Sequence, residues 1–195
     1  MDGVDGCGKS TQAARLVERL GADTLHLREP GSTVIGENLR AMLLDPSARI
    51  DEGAEPLLFA AARRQMLDEL VEPALIAGRH VVCERFNGST YAYQAVARGR
   101  DPEAVVTLLE NWCGQPAPDL EVILTVDVAR AVERRGADRD RIEARGEDYQ
   151  RAVADGFREY AARFARVTEV DGEGAIEEVG ARIDAALEEL LDGRE

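Results

Sequence analysis

A glycine-rich segment near the N-terminus carries the clearest chemical signature of the chain. Residues 3–10 read Gly-Val-Asp-Gly-Cys-Gly-Lys-Ser and match the pattern G-x-x-x-x-G-K-[ST]. In such a loop backbone N–H groups converge on phosphate oxygens, the lysine reaches the terminal phosphates, and the serine hydroxyl can ligate Mg²⁺. Lys9 is the only lysine among the 24 basic residues, so any lysine chemistry must occur there. The segment therefore predicts a phosphate-binding loop.

The elements that must position this loop alternate between strands and helices. Apolar residues at helical spacing predict helices at 10–20, 35–44, 55–76 (with a bend or break near Pro73), 89–98, 102–113, 129–135, 148–164 and 175–191. Short apolar runs predict strands at 24–27, 80–84, 122–126 and, more weakly, 167–170. This order is typical of an α/β fold, in which a parallel sheet has helices on both faces and binds ligands at the carboxyl ends of its strands.

The phosphate-binding loop should follow a buried strand. Only Met1 and Asp2 precede Gly3, so we expect the first strand to be missing from this chain. Neither a repeat nor a linker-like stretch divides the sequence, which favours a single domain over 1–195. Within it, residues 136–146 alternate acids and arginines, and we expect this segment to be mobile.

Composition limits the kinds of partner. The 38 acidic residues outnumber the 24 basic ones and give a formal net charge of −14, which repels nucleic acid and anionic lipid. No apolar run is long enough to span a membrane, and no leader is visible. The three cysteines are widely spaced and form no Cys-x-x-Cys pair, which argues against a zinc site or a disulfide framework. We expect a cytoplasmic protein that binds neither nucleic acid nor membrane.

Six short motifs, in their order and spacing, resemble thymidylate kinase of the bacterial type. They are Gly-Val-Asp-Gly-Cys-Gly-Lys-Ser-Thr-Gln at 3–12, Arg-Glu-Pro-Gly-Ser-Thr at 28–33, Leu-Leu-Phe-Ala-Ala-Ala-Arg at 57–63, Cys-Glu-Arg-Phe at 83–86, Ser-Thr-Tyr-Ala-Tyr-Gln at 89–94 and Asp-Arg-Ile-Glu at 140–143. The resemblance extends to the C-terminal helix. It implies a nucleoside monophosphate kinase-like domain with the sheet of P-loop NTPases, a homodimer, and Mg²⁺- and ATP-dependent phosphorylation of dTMP to dTDP. Two alternatives stay open: a kinase for another deoxynucleoside monophosphate, and a non-catalytic ATP-binding module.

The resemblance also implies which residues meet ATP and the transferring phosphoryl group. The expected ATP-binding residues are Gly3, Val4, Asp5, Gly6, Cys7, Gly8, Lys9, Ser10 and Thr11. Some relatives have an arginine where this loop has Gly6, so the charge on the phosphoryl group must be met from elsewhere. The segment at 136–146 is similar to the family's lid, and the expected catalytic residues are Lys9, Arg85, Arg139, Arg141 and Arg145.

For the dTMP site the family pairs a phenylalanine with an arginine four residues later. Phe59 and Arg63 match this pair, and their i, i+4 spacing places them on one helix face. Arg63 and Arg64 are adjacent, so only one of them can share the helix face of Phe59. In this resemblance Phe59 would stack on thymine and Arg63 would form a hydrogen bond with the edge of the base. Thr90 and Gln94 are expected near the base, Tyr93 as the filter for deoxyribose, Asp5 at the sugar 3′-hydroxyl, and Arg28, Arg40 and Arg85 at the phosphate. Ser89 is either a polar contact or only a helix N-cap.

The expected Mg²⁺ ligands are Ser10, Glu84 and Glu29. Where the family usually has Asp-Arg-Tyr after its third strand, this chain has Glu84-Arg85-Phe86, and the glutamate is longer by one methylene. Asp127, at the end of an apolar run, is a rival ligand by its position, although we favour a structural or helix-capping role for it.

Overall fold

The computed structural model describes residues 1–134 and 140–192, except for the side chain of Glu143. Its strands are β1 (Asp2–Gly3), β2 (Leu25–Arg28), β3 (Val81–Glu84), β4 (Glu121–Thr125) and β5 (Val167–Asp171). β1 pairs with β4, β4 with β5, and β2 with β3, each pair in parallel. Parallel pairing of successive strands requires crossover connections, and the helices supply them.

Met1 joins the two sets of strands. Its amino group donates a hydrogen bond of 2.9 Å to the Cys83 carbonyl, and its own carbonyl accepts one of 2.8 Å from the Arg85 N–H. The strand order across the molecule is therefore β2-β3-β1-β4-β5.

The expectation that the first strand is missing needs correction. Asp2 lies opposite Ile123 and Gly3 opposite Leu124, so these two residues form a short strand at the centre of the sheet. The phosphate-binding loop leaves the carboxyl end of this strand, which is the place that the loop requires.

The helices confirm the predicted alternation, with ends that differ by one or two residues from those expected. They are α1 (Lys9–Leu20), α2 (Val34–Leu44), α3 (Ala54–Met66), α4 (Glu72–Ile76), α5 (Asn87–Thr90), α6 (Pro102–Cys113), α7 (Val128–Arg134), α8 (Glu147–Arg163) and α9 (Ile176–Asp192). Two stretches are π-helical, Leu67–Val71 and Tyr91–Ala95, and short 3₁₀ turns cover Val96–Arg98 and Glu143–Arg145.

The break expected near Pro73 takes the form of the first π-helical stretch. The N–H of Glu72 donates to the Leu67 carbonyl five residues earlier, just before Pro73, which has no N–H to donate. α3 and α4 are thus joined without a loop. Local caps fix other helix starts: Thr33 accepts from the Gly36 N–H at α2, and Asp101 accepts from the Glu103 N–H at α6.

Apolar side chains pack on both sides of the sheet. One cluster includes Ile123 and Leu124 of β4 with Phe157 of α8 and Ile183 of α9. A second cluster packs Leu27 of β2 against α3 and the π-helical stretch after it. Together they hold the carboxyl ends of β1, β2 and β3 next to one another. Within residues 1–134 and 140–192, no helix combines the length and apolar character that crossing a membrane demands.

Candidate functional site

Two neighbouring cavities open at the carboxyl edge of the sheet, where parallel α/β proteins bind ligands. The larger, of about 580 Å³, follows the phosphate-binding loop. Its lining comprises Asp5, Gly6, Gly8, Lys9, Ser10, Thr11, Arg28, Glu29, Arg40, Glu84, Arg85 and Arg134. Most of the expected ATP-binding residues are therefore brought together at one cavity.

The side chain of Lys9 is hydrogen-bonded to the backbone of its own loop. Lys9 is buried, and its Nζ donates to the carbonyls of Gly3 at 3.0 Å and Val4 at 2.9 Å. Its carboxylate neighbour is Asp5, with Nζ 4.0 Å from Oδ1. The only lysine of the chain is thus positioned within the phosphate-binding loop.

Gly3, Val4 and Cys7, also expected at ATP, do not line the larger cavity. Val4 and Cys7 are buried in the core. Gly3 adopts a φ of 134°, and a Cβ there would lie 2.5 Å from the Leu124 carbonyl oxygen. These residues pack the loop closely against β4, so their role is in packing and backbone geometry.

The smaller cavity, of about 150 Å³, gathers the residues expected at dTMP. Its lining comprises Asp5, Glu29, Pro30, Arg40, Leu44, Phe59, Arg63, Arg85, Ser89, Thr90, Tyr93, Gln94, Asp140 and Ile142. Of the expected set only Arg28 is absent from this lining, and it lines the larger cavity instead. Arg64 points elsewhere and bonds to the Gln115 carbonyl and to Asp68, as the i, i+4 argument requires.

Arg63 is the most deeply buried charge at the smaller cavity, with 1% of its surface exposed. Its Nε donates to Glu29 at 2.7 Å, Nη1 to Asn87 at 2.9 Å and Nη2 to Thr90 at 3.1 Å. Burial by itself would lower the pKa of Arg63, but the Glu29 carboxylate raises it. Burial also raises the pKa of Glu29, and Arg63 opposes that rise. The two side chains hold each other in place beneath the cavity.

Asp5, Arg85 and Tyr93 form a second linked group. Tyr93 donates from its hydroxyl to Asp5 Oδ2 at 3.0 Å, and Arg85 forms an ion pair with Oδ1. The Arg85 guanidinium lies 5.2 Å from the centre of the Tyr93 ring. Arg85 has a φ of 67°, a region that residues other than glycine rarely adopt. This backbone conformation directs Arg85 from the end of β3 toward the loop.

Asp5, Glu29, Arg40 and Arg85 line both cavities and form the wall between them. Burial lowers the pKa of Arg40, and repulsion from Arg28 and Arg85 lowers it further. Three guanidinium groups therefore lie close enough to repel one another near the wall between the cavities. A phosphate group bound there would relieve this repulsion.

The candidate metal ligands lie at the larger cavity. Ser10 donates from Oγ to Glu84 Oε2, and His26 Nε2 lies 2.9 Å from Glu84 Oε1. Glu29 lines the same cavity but commits one oxygen to Arg63. In the described part of the chain no three His, Cys, Asp or Glu side chains cluster as metal ligands. Hard oxygen donors such as Ser10 and Glu84 fit Mg²⁺, which takes few protein ligands and completes its shell with phosphates and water.

Asp127, the rival metal ligand, caps a helix. Its Oδ1 accepts from the Arg130 N–H at 3.1 Å at the start of α7, and it lines neither cavity. Ser89 is not an N-cap, since it lies inside α5. Its hydroxyl donates to Asp2 and accepts from Arg85 Nη1 at 3.3 Å, so it supports Arg85 at the edge of the smaller cavity.

Two of the expected lid arginines, Arg141 and Arg145, lie away from the phosphate-binding loop. Arg141 and Arg145 both donate from Nη2 to Glu55 at 2.8 Å, and neither lines either cavity. The structure places these two side chains at a buried carboxylate, and their expected catalytic role stays a prediction. Arg139 and residues 136–138 of the expected lid lie outside the described residues.

The family model described as thymidylate kinase matches residues 1–183. The chain belongs to the thymidylate kinase family. It is 40% identical to the thymidylate kinase of Rhizorhabdus wittichii over 98% of this chain and 96% of that protein. It is 37% identical to that of Caldanaerobacter subterraneus subsp. tengcongensis over 98% and 95% of the two chains. The crystal structure of thymidylate kinase from Ehrlichia chaffeensis superposes with a TM-score of 0.77 at 27% identity, covering 95% of each chain.

Sequence reasoning missed several residues at or next to the site of this thymidylate kinase family member, among them Arg134 and Glu55. Arg134 of α7 lines the larger cavity, and nothing in its local pattern distinguished it from other surface arginines. Glu55 binds Arg141 and Arg145 of the expected lid. Its spacing of four residues before Phe59 was a usable signal, because i and i+4 share a helix face.

Proposed function

We propose that this chain transfers the γ-phosphoryl group of ATP to dTMP and releases ADP and dTDP. A phosphate oxygen of dTMP attacks the γ-phosphorus, and the bond from that phosphorus to the bridging oxygen of ADP breaks. The observation that carries the proposal is the common wall of Asp5, Glu29, Arg40 and Arg85 between a phosphate-loop cavity and an aromatic, polar one. Donor and acceptor phosphates would meet at this wall.

The donor would bind in the larger cavity. Backbone N–H groups of the loop and the start of α1 face anionic phosphates favourably, and Lys9 would exchange its carbonyl partners for phosphate oxygens. Ser10 and Glu84 would hold Mg²⁺, with Glu29 adjacent. When bound, the ion would neutralise charge on the β- and γ-phosphates.

The acceptor would bind in the smaller cavity. Phe59 would stack on the base, while Arg63, Thr90 and Gln94 would bind its polar edge. Nε, one Nη1 hydrogen and both Nη2 hydrogens of Arg63 serve Glu29, Asn87 and Thr90, so one of its five N–H donors is left for the base among the described contacts.

Sugar and phosphate would be held by the wall and its neighbours. The Tyr93 ring would crowd the sugar 2′ position, and Asp5 would accept from the 3′-hydroxyl. Arg28, Arg40 and Arg85 would bind the acceptor phosphate and neutralise charge in the transition state. Because the acceptor is already an anion, no side chain needs to act as a base; positioning and electrostatics supply the rate.

A coupled assay of ADP release over a panel of nucleoside monophosphates tests the proposal. We expect turnover with dTMP to exceed that with dUMP, dCMP or dGMP, and Lys9→Ala to abolish it. Faster turnover of dUMP or dCMP would contradict the thymine assignment and favour a kinase for another monophosphate. ATP binding without dTDP formation would favour the non-catalytic alternative.

We also propose a homodimer. Exposed apolar side chains, Met42 of α2, Leu57 of α3 and Trp112 of α6, occupy three helices that pack side by side. Sedimentation should give a dimer, and Leu57→Asp should shift it to the monomer. A Leu57→Asp variant that remains a dimer, or a wild type that is a monomer, would contradict the proposal that this face forms the dimer interface.

The remaining proposals concern the domain and its setting. We propose one domain over residues 1–195 with a lid at 136–146. The free thiols of Cys7, Cys83 and Cys113 suit the reducing cytoplasm that we propose as its location.

A further inference from the structure

Glu55 is a buried carboxylate on which three arginines converge. It lies in the first turn of α3 and is 1% exposed. Its Oε2 accepts from Arg141 and Arg145 at 2.8 Å each, and from Arg98 at 3.4 Å. Burial would raise the pKa of Glu55, but the arginines and the Gln94 amide lower it to about 2. The group is therefore a carboxylate at any working pH.

The other oxygen of Glu55 connects this group to the smaller cavity. Oε1 accepts from Gln94 Nε2 at 3.1 Å, and Gln94 lines the cavity expected to hold the base. One carboxylate thus contacts both a residue of the binding site and two residues in the described part of the expected lid.

That segment, residues 140–146, covers the smaller cavity and is called the roof segment below. Asp140 and Ile142 line the cavity. Arg141 is held at two further points: its N–H donates to the Leu44 carbonyl at 3.1 Å and its Nε to the Leu43 carbonyl at 2.7 Å. These contacts fix the roof segment to the end of α2.

Arg145 adds a third connection. Its Nη1 bonds to the Tyr149 hydroxyl at 2.8 Å, and that hydroxyl donates to the Tyr93 carbonyl at 2.7 Å. Tyr93 in turn lines the smaller cavity. Arg141 is therefore bonded to Leu44, which lines the acceptor cavity, and Arg145 is linked to Tyr93 through Tyr149.

We propose that Glu55 is a positioning residue that holds the roof segment over the acceptor cavity, and that Arg141 and Arg145 act through Glu55 rather than on the transferring phosphoryl group. The inference rests on the proposed function, in that dTMP occupies this cavity. Moving both arginines to a phosphate would leave a buried carboxylate with less of its compensation, which is costly. Removing one arginine leaves Glu55 with its other partners, so single arginine variants should fold.

Steady-state kinetics of Glu55→Gln, Arg141→Ala and Arg145→Ala distinguish a positioning role from a catalytic one. We expect each to raise KM for dTMP by about tenfold, the equivalent of one charged hydrogen bond, with kcat changed less than about threefold and KM for ATP unchanged. Glu55→Asp, which keeps the charge, should recover part of the loss. The double variant of Glu55→Gln with Arg141→Ala should be little worse than either single one.

Glu52→Gln is the matched control. Glu52 lies three residues earlier, is exposed and pairs with Arg98, so its substitution should leave both constants unchanged. A fall in kcat of about 10³ or more in Arg141→Ala, with KM for dTMP unchanged, would overturn the proposal because such a loss marks an arginine that stabilises the transition state.

Hydrogen exchange gives a readout that needs no turnover. In Glu55→Gln, peptides covering 140–150 should exchange faster than in the wild type, while peptides of α1 should not. If Glu55→Gln does not fold, the same comparison is made with Arg141→Ala. Saturating dTMP should slow the same peptides in the wild type. If the wild type makes dTDP but the variants exchange at 140–150 as slowly as the wild type does, the positioning role of Glu55 is overturned and the proposed function is not. A wild type that makes no dTDP would overturn the proposed function.

Discussion

At the scale of single residues, the site depends on buried charges that are paired. Arg63 and Glu29 are 1% and 3% exposed and bond to each other beneath the acceptor cavity. A buried ion pair adds little net stability, but removing one partner leaves the other charge buried without a counter-ion, which is strongly destabilising. Such a pair fixes the geometry of a binding site more than it stabilises the fold.

Arg63→Ala tests this reasoning. We expect a loss of about 3 kcal/mol in the free energy of unfolding, because Glu29 is left buried without its cation. Urea denaturation measures it, and the adjacent Arg64→Ala, which removes an exposed pair with Asp68, should cost under about 1 kcal/mol. Equal losses in both variants would contradict the structural role of the pair.

Phe59→Ala tests the base contact. Loss of an aromatic face that stacks on thymine should raise KM for dTMP roughly tenfold and leave KM for ATP unchanged, since Phe59 lines only the acceptor cavity. Initial rates with each substrate varied in turn provide the measurement. A change confined to the ATP constant would exclude Phe59 from the acceptor site.

At the scale of elements, α8 supports the stretch that carries Tyr93 and Gln94. Gly156 of α8 faces the π-helical stretch Tyr91–Ala95, and a Cβ at this glycine would lie 2.9 Å from the Ala92 Cα. The π-helical turn brings side chains toward the cavity, and the close approach of α8 holds that turn in place. The acceptor site is therefore sensitive to helix packing on its far side.

Gly156→Ala should push α8 away from this stretch. We expect a destabilisation of about 1 to 3 kcal/mol despite the better helix propensity of alanine, together with weaker dTMP binding. Gly180→Ala in α9 is the control, because the three atoms nearest to a Cβ there all belong to the flexible side chain of Arg15. Thermal melts and dTMP titration of both variants give the comparison; a stabilised Gly156→Ala would refute the packing argument.

At the scale of the whole molecule, charge is distributed unevenly. The net charge is −14, yet basic residues outnumber acidic ones in the lining of the larger cavity, which has Lys9, Arg28, Arg40, Arg85 and Arg134 against Asp5, Glu29 and Glu84. Anionic substrates are thus attracted locally by a protein whose total field repels them. Other arginines form ion pairs away from the cavities, such as Arg15 and Arg19 of α1 with Asp184 of α9.

Global stability should depend on pH through Glu121. Burial, followed by the nearby Asp2, raises the pKa of this residue from 4.5 to about 7 in the folded protein. The folded state therefore holds a proton that the unfolded state has lost, and stability falls as pH rises from about 4.5 to 7. The contribution lost by pH 8 is about 3 kcal/mol.

Glu121→Gln removes this titration. The variant should be more stable than the wild type by about 3 kcal/mol at pH 8 and nearly equal to it at pH 5, measured by urea unfolding at each pH. Glu110→Gln on the exposed face of α6 should show no such difference. A Glu121→Gln variant that gains nothing at pH 8 would show that the buried carboxyl has another source of compensation.

The sequence by itself determined the alternation of strands and helices, the phosphate-binding loop, and the helix face shared by Phe59 and Arg63. These depend on local periodicity and spacing, which neighbouring residues carry. Resemblance to the thymidylate kinase family added Thr90, Tyr93 and Gln94, and the structure brings all three to one cavity.

Only the tertiary structure decided which charges meet. Asp2 and Gly3 form a strand because β4 and Met1 supply partners on either side, and Arg141 and Arg145 bind Glu55, which is separated from them by more than eighty residues. The cost of burying an unpaired carboxylate settles that arrangement, and it depends on neighbours in space that no local pattern specifies.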